Sequence, residues 1–169
     1  DSITVDLNVF PNPEVGFEFD DDCLNTNISF NNTSTLENGA FESYEWSYGD
    51  GNIATSANGE NIYELYGFYV TELIVVTENG CSDTLVQQVE VFPAPTPDFA
   101  VGETEFCAGG LLSLTDLSTI PEPYQIISWD WSFGNNSTSG ETIDYEIVEA
   151  GSYDLELVLT SSNGCTADT

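Results

Sequence analysis

Residues 67–81, GFYVTELIVVTENGC, return 84 residues later as residues 151–165, GSYDLELVLTSSNGC. Gly, Tyr, Asn-Gly and Cys fall at the same offsets in both copies. Each copy alternates. Tyr69, Thr71, Leu73 and Val75 in the first, and Tyr153, Leu155, Leu157 and Leu159 in the second, line one face of an extended strand. The opposite faces are mixed: Val70, Glu72 and Ile74, then Asp154, Glu156 and Val158. That pattern suits an antiparallel sheet with one face on a core. A repeat of this length fixes the architecture before any other signal is read.

The repeat divides the 169 residues into two small domains. Residues 1–10, DSITVDLNVF, echo residues 83–92, DTLVQQVEVF. Each run leads into a proline-spaced connection, Pro11 and Pro13 in one case, Pro93, Pro95 and Pro97 in the other. Proline cannot donate to a ladder and favours a stiff extended connection. Residues 1–10 therefore read as the last strand of a preceding domain of the same type, or as a donor strand. Residues 11–92 form the first domain, and residues 93–169 a second that lacks its own last strand. A window on a continuing array is the simpler arrangement. Addition of the leading strand to another chain is the competing one.

Strands are expected near 15–20, 26–31, 43–48, 60–64, 68–77 and 84–92, then near 98–101, 111–116, 126–133, 142–147 and 152–161. Clusters such as Gly49-Asp50-Gly51, Asn79-Gly80, Gly134-Asn135-Asn136 and Asn163-Gly164 separate them. Asn-Gly accepts the positive φ that tight hairpins demand. About seven short strands per domain without helical periodicity point to a β-sandwich.

Lys, Arg and His are absent, and 30 acidic residues give a formal charge of −30. No side-chain salt bridge can form. Nucleic acid and anionic membrane surfaces are repelled, because both are held through Lys or Arg. No apolar run approaches the roughly 18 residues that span a bilayer. The four cysteines, Cys23, Cys81, Cys107 and Cys165, are spaced 58 residues apart in each copy. Equal spacing inside equal repeats predicts one disulfide within each domain, Cys23 with Cys81 and Cys107 with Cys165. Each would stabilise its domain by roughly 4 kcal/mol in the chain-entropy account. Zinc is the competing use, but it wants close cysteine pairs and often His, and neither is present. Disulfides imply an oxidising, extracytoplasmic compartment.

A second repeated motif is Tyr44-Glu45-Trp46-Ser47-Tyr48-Gly49-Asp50-Gly51, echoed by Trp129-Asp130-Trp131-Ser132-Phe133-Gly134-Asn135-Asn136. With Tyr63…Gly67-Phe68-Tyr69 and Tyr145…Gly151-Ser152-Tyr153, it resembles the PKD domain, an immunoglobulin-like sandwich. The resemblance covers nearly the whole chain. It implies an all-β chain of two tandem immunoglobulin-like (PKD) β-sandwiches in an extended array. Tyr48 stands where the family has Phe, Thr71 where it has Val, and Asn135-Asn136 replace Asp-Gly. Trp46 and Trp131 should fill the two cores, and Asp50 should cap its turn through the backbone. The Asn-Gly-Cys ending resembles PKD domains of large Bacteroidota surface proteins exported by the type IX system, including gliding and adhesion proteins. The same resemblance implies O-glycosylation at Ser2, Thr84 and Thr169, each preceded by Asp.

Catalysis has few tools here. Without His or Lys there is no ordinary base for a Ser or Cys nucleophile. Accidental carboxylate pairs are abundant among 30 acids and carry no information. No cofactor is required. Asp20, Asp21 and Asp22 are the candidate calcium ligands, since three adjacent carboxylates repel one another unless solvated or metal-bound. The function expected is a non-catalytic structural or interaction repeat of an extracellular or cell-surface fibre, a stalk, spacer or adhesive surface. Its partners would be neighbouring repeats, other copies by strand addition or lateral assembly, and surface glycans or proteins. The alternative is an accessory carbohydrate- or protein-binding module of a secreted hydrolase. That role would need an exposed aromatic row, for which Phe41, Tyr44, Tyr124 and Trp129 are the candidates. Trp129 is the weakest of them, because it shares a strand face with Trp131.

Overall fold

The computed structural model describes residues 3–169, which divide into two compact units at the Val91–Phe92 boundary. The first holds β1 (Phe17–Glu18), β2 (Asp22–Cys23), β3 (Asn27–Asn32), β4 (Phe41–Ser47), β5 (Ile53–Ala54), β6 (Gly59–Ile62), β7 (Gly67–Thr77) and β8 (Ser82–Phe92). These make two sheets, ordered β1-β3-β6 and β2-β8-β7-β4-β5. The second holds β9 (Phe99–Val101), β10 (Gly110–Asp116), β11 (Ile126–Phe133), β12 (Asn136–Ser139), β13 (Thr142–Ile147), β14 (Leu155–Ser161) and β15 (Thr166–Asp168). Its sheets run β13-β10-β9 and β12-β11-β14-β15. Each unit is therefore an antiparallel sandwich, and the strand orders correspond except that β2 has no counterpart in the second unit.

Alternation dictates which side chains go inside. Thr71, Leu73 and Val75 of β7 are buried, as are Leu157 and Leu159 of β14. They meet Ile28 and Phe30 from the facing sheet of the first unit, and Leu112 and Leu114 in the second. Trp46 and Trp131 lie at the two centres, almost fully buried. Burial leaves the indole N–H needing a partner. Trp46 Nε1 donates to Ser56 O at 3.1 Å, and Trp131 Nε1 to Gly140 O at 2.8 Å. Phe17 and Phe99 meet these indoles edge-on, with centroids 5.1 and 5.2 Å away.

The structure departs from the sequence expectation in two places. The expected pairs Cys23–Cys81 and Cys107–Cys165 are not formed. Cys81 and Cys107 are free thiols, and Cys23 and Cys165 are the disulfide-bonded cysteines. The reason is that each domain's two cysteines stand at opposite poles. Cys81 immediately precedes β8, whereas β2, which carries Cys23, lies beside the far end of that strand. There Asp21 Oδ1 accepts the Glu90 amide at 2.8 Å. The nine residues from Cys81 to Glu90 span about 30 Å, where a disulfide needs Cα atoms within about 7 Å. Likewise Cys165 follows the end of β14 and accepts the Ser161 amide through its carbonyl at 2.8 Å. Cys107 lines a cleft with Leu155, the first residue of β14.

The second departure is that the second unit does have a last strand, short as it is. β15 pairs with β14 at Val158↔Asp168, Leu159↔Ala167 and Thr160↔Thr166. The corresponding β8 pairs with β7 over ten positions, Gly67↔Val91 to Val76↔Ser82.

Candidate functional site

The Gly49-Asp50-Gly51 turn is the most strongly specified loop of the first unit. Gly49 has φ +81°, and a Cβ there would lie 2.7 Å from the Val70 carbonyl oxygen. Asp50 then organises the turn. Its Oδ1 accepts the Asn52 amide at 2.9 Å, and its Oδ2 accepts Asn52 Nδ2 at 2.9 Å and Asn61 Nδ2 at 2.8 Å. The carboxylate thus caps the turn and ties it to β6. A shallow depression of about 380 Å³ opens beside it, lined by Asp50, Asn52, Ile62, Glu64, Leu65 and Tyr69. In the second unit the carboxylate is gone. Asn136 Oδ1 instead accepts Tyr145 Oη at 3.4 Å, and the turn becomes a plain hairpin between β11 and β12.

Beneath the first turn, two buried tyrosines form a small polar network. Tyr63 Oη donates to the Tyr48 carbonyl at 3.1 Å and lies 3.3 Å from Thr71 Oγ1. Tyr48 Oη accepts the Glu60 amide at 3.1 Å. Burial, which disfavours the phenolate, holds both phenols above the ordinary tyrosine range. Tyr48, standing where the family has Phe, therefore brings a hydroxyl into the core and finds it a donor. Tyr69 and Tyr153 pack partly buried against the two cores, as their strand face predicts, and do one thing more. Each turns its hydroxyl back to a carbonyl four residues upstream, Leu65 O at 2.7 Å and Glu149 O at 2.9 Å. This is the tyrosine corner of immunoglobulin-like domains.

Two of the three adjacent aspartates are used structurally. Asp21 accepts the Glu90 amide, and Asp22 Oδ1 accepts the Cys23 amide at 2.7 Å. Among the described residues no group of three His, Cys, Asp or Glu side chains converges as a metal site. The aromatic row is dispersed. Phe41 and Tyr44 pack partly buried against the first core, their centroids 5.8 Å apart. Trp129 packs against the second core and donates to Asp116 Oδ2 at 2.7 Å. Tyr124 meets Phe92 edge-on at 6.1 Å. Of the three hydroxyls expected to carry sugar, Ser2 lies outside the described residues. Thr84 is exposed on β8, and Thr169 accepts the Leu157 amide at 3.2 Å.

A second concavity was not anticipated from the sequence. A cleft of about 620 Å³ opens at one pole of the second unit, with Val101, Phe106, Leu112, Ile147, Tyr153 and Leu155 among its walls. Glu103, Glu105, Glu149 and Cys107 also line it. It holds carboxylates and one thiol, and no His or Lys.

Two antiparallel sandwiches with a buried tryptophan and a tyrosine corner define a pair of immunoglobulin-like modules. The particular family follows from comparison with known sequences. The chain belongs to the PKD domain family, whose sequence model matches it twice, over residues 8–93 and 92–169. Collagenase ColA of Bacillus cereus is 27% identical over 137 residues, which make up 80% of this chain and 14% of the collagenase. The chain thus spans a small part of that relative's length. Among solved structures, the PKD1 domain of Vibrio anguillarum Epp is 28% identical, with a TM-score of 0.46 over 49% of this chain and 96% of that one. The PKD1 domain from the Vibrio cholerae metalloprotease PrtV is 32% identical, with a TM-score of 0.45 over 48% and 98%. PKD domains are non-catalytic modules, and a disulfide-bearing one is an extracellular domain. Among the described residues no helix is long and apolar enough to cross a membrane.

Proposed function

We propose that this chain is a load-bearing and interaction segment of a secreted or surface-displayed protein, serving as stalk, spacer or adhesive surface. The observation that carries this reading is the fate of its functional groups. The polar side chains best placed for chemistry, Asp50, Asp21, Asp22 and Trp129, are all engaged in holding turns and strands. Two copies of one sandwich, without His or Lys to activate a nucleophile, are suited to reach and repetition. Repetition turns weak contacts into avidity.

The match to a collagenase over 80% of the chain favours a second reading, an accessory module of a secreted hydrolase. The two separate by experiment. The isolated chain is cosedimented with collagen fibrils and with insoluble polysaccharides, and is stretched between its ends in a single-molecule force measurement. With the disulfide reduced, a stalk gives two unfolding events and no retention on either substrate. Saturable retention without hydrolysis moves the assignment to the accessory module. Hydrolysis of either substrate would sink both.

A further inference from the structure

We propose that Asn38 is a site of spontaneous covalent modification, at which the side chain cyclises onto Gly39 and loses its amide. The proposal holds whether the chain is a stalk or an accessory module. It rests on a comparison among the Asn-Gly pairs, which are Asn38-Gly39, Asn58-Gly59, Asn79-Gly80 and Asn163-Gly164. In each, the glycine nitrogen follows an asparagine side chain and has no Cβ on its own residue to hinder approach. Ring closure needs that nitrogen unbonded and turned onto the asparagine Cγ. A backbone that commits the N–H elsewhere blocks it.

The fold holds the other pairs. Gly80 N donates to Thr77 O at 2.8 Å, and Gly164 N to Ser161 O at 2.9 Å, in the equivalent turn of each repeat. Gly59 opens β6 and is buried, and a Cβ there would lie 2.6 Å from the Tyr48 hydroxyl. Its asparagine is engaged as well, since Asn58 Oδ1 accepts the Asn32 amide at 3.0 Å. Asn38-Gly39 is different. Both residues are exposed, in the bend that precedes β4. Among the described residues neither the Asn38 side chain nor the Gly39 N–H has a hydrogen-bond partner. Gly39 sits at φ +108°, and a Cβ there would meet only side-chain atoms, of Leu36 at 3.5 Å and of Asn79 at 3.8 Å. No backbone atom stands in the way of the rotation that closure requires. The Asp50-Gly51 pair, which could cyclise by a related route, is closed because both Asp50 oxygens accept hydrogen bonds.

The step balances with water as its co-reactant and involves no change of oxidation state. Gly39 N gives its proton to solvent base and attacks Asn38 Cγ. The N–Cγ bond forms, the Cγ–Nδ2 bond breaks, and ammonia leaves with a proton taken from water. A cyclic succinimide remains. Water then opens it at either carbonyl. Opening at Cγ gives aspartate on an unchanged backbone. Opening at the main-chain carbonyl gives isoaspartate, whose backbone runs through the side-chain methylene. Either product adds one carboxylate to the 30 already present. Because no hydrogen bond of the first unit passes through Asn38 or Gly39, the sandwich survives both.

The test ages the whole chain at mildly alkaline pH, once folded and once in urea, and then cuts it after glutamate under acidic conditions. Cleavage after Glu37 and Glu42 isolates residues 38–42. Mass spectrometry with electron-based fragmentation tells asparagine, aspartate and isoaspartate apart. In the folded chain Asn38 should convert about fivefold to tenfold faster than Asn58, Asn79 or Asn163, the factor that a hydrogen bond of ordinary net strength imposes. In urea all the pairs should convert at comparable rates. The Asn38 rate should rise with hydroxide concentration, and isoaspartate should accompany aspartate, whereas direct hydrolysis of the amide would give aspartate alone. Asn38→Asp should keep the thermal midpoint of the parent chain. The proposal is overturned if Asn79 or Asn163 converts as fast as Asn38 in the folded chain. It fails equally if Asn38 stays intact while the chain in urea reacts, or if the same ranking persists in urea, since local sequence rather than the fold would then select the site.

Discussion

At the scale of single residues, the first unit depends on conformations that only one side chain permits. Gly49 holds φ +81° with the Val70 backbone pressed against it, and its nearest neighbours are backbone atoms that cannot swing away. Gly49→Ala should cost the first unit about 2–4 kcal/mol, seen as a lower denaturation midpoint in urea. The equivalent Gly134 sits at φ +61° and would meet only the edge of the Tyr153 ring, at 3.1 Å. Its alanine variant should cost only about 1 kcal/mol. The buried phenols make a second prediction. Because burial raises Tyr48 and Tyr63, the fold keeps them neutral where the unfolded chain begins to ionise them, above about pH 10. Their contribution is fully present below that pH and is lost as pH rises through the raised values. Tyr63→Phe should flatten this alkaline loss in a pH series of chemical denaturation. At neutral pH it should cost roughly 1–2 kcal/mol, since the Tyr48 carbonyl loses its donor.

At the scale of elements, long alternating strands were legible and short ones were not. β7 and β14 announce their buried faces through period-two alternation, and the two tryptophans mark the centres of the cores. β2 and β5 are two residues each and β12 is four. They form because a neighbouring edge offers hydrogen bonds, which no local pattern encodes. The cysteines were misread for a related reason. Equal spacing shows that two positions are equivalent between repeats, and says nothing about whether they meet within one. The two units also differ in an element the repeat could not reveal, since only the first has β2 alongside a long last strand. Val89→Ala tests how far that strand supports its unit. Two buried methyl groups are lost, so the first unit should lose about 2–3 kcal/mol. Hydrogen-exchange protection of β10 and β14 should be unchanged.

At the scale of the molecule, the formal charge of −30 has no cation to answer it within the side chains. Self-repulsion strains the compact state, and salt shortens its reach from about 8 Å at physiological strength to about 3 Å at 1 M. Calorimetry across a sodium chloride series should therefore show both thermal transitions rising. A flat response would mean that the carboxylates are too dispersed to matter.

The side chains that leave the carboxylates unanswered also withhold a handle. Without a single Lys or Arg, these 169 residues offer no cleavage point to a protease that requires a basic side chain. Each sandwich can open and close again among such enzymes without being cut, and that holds for its exposed turns as much as for its strands.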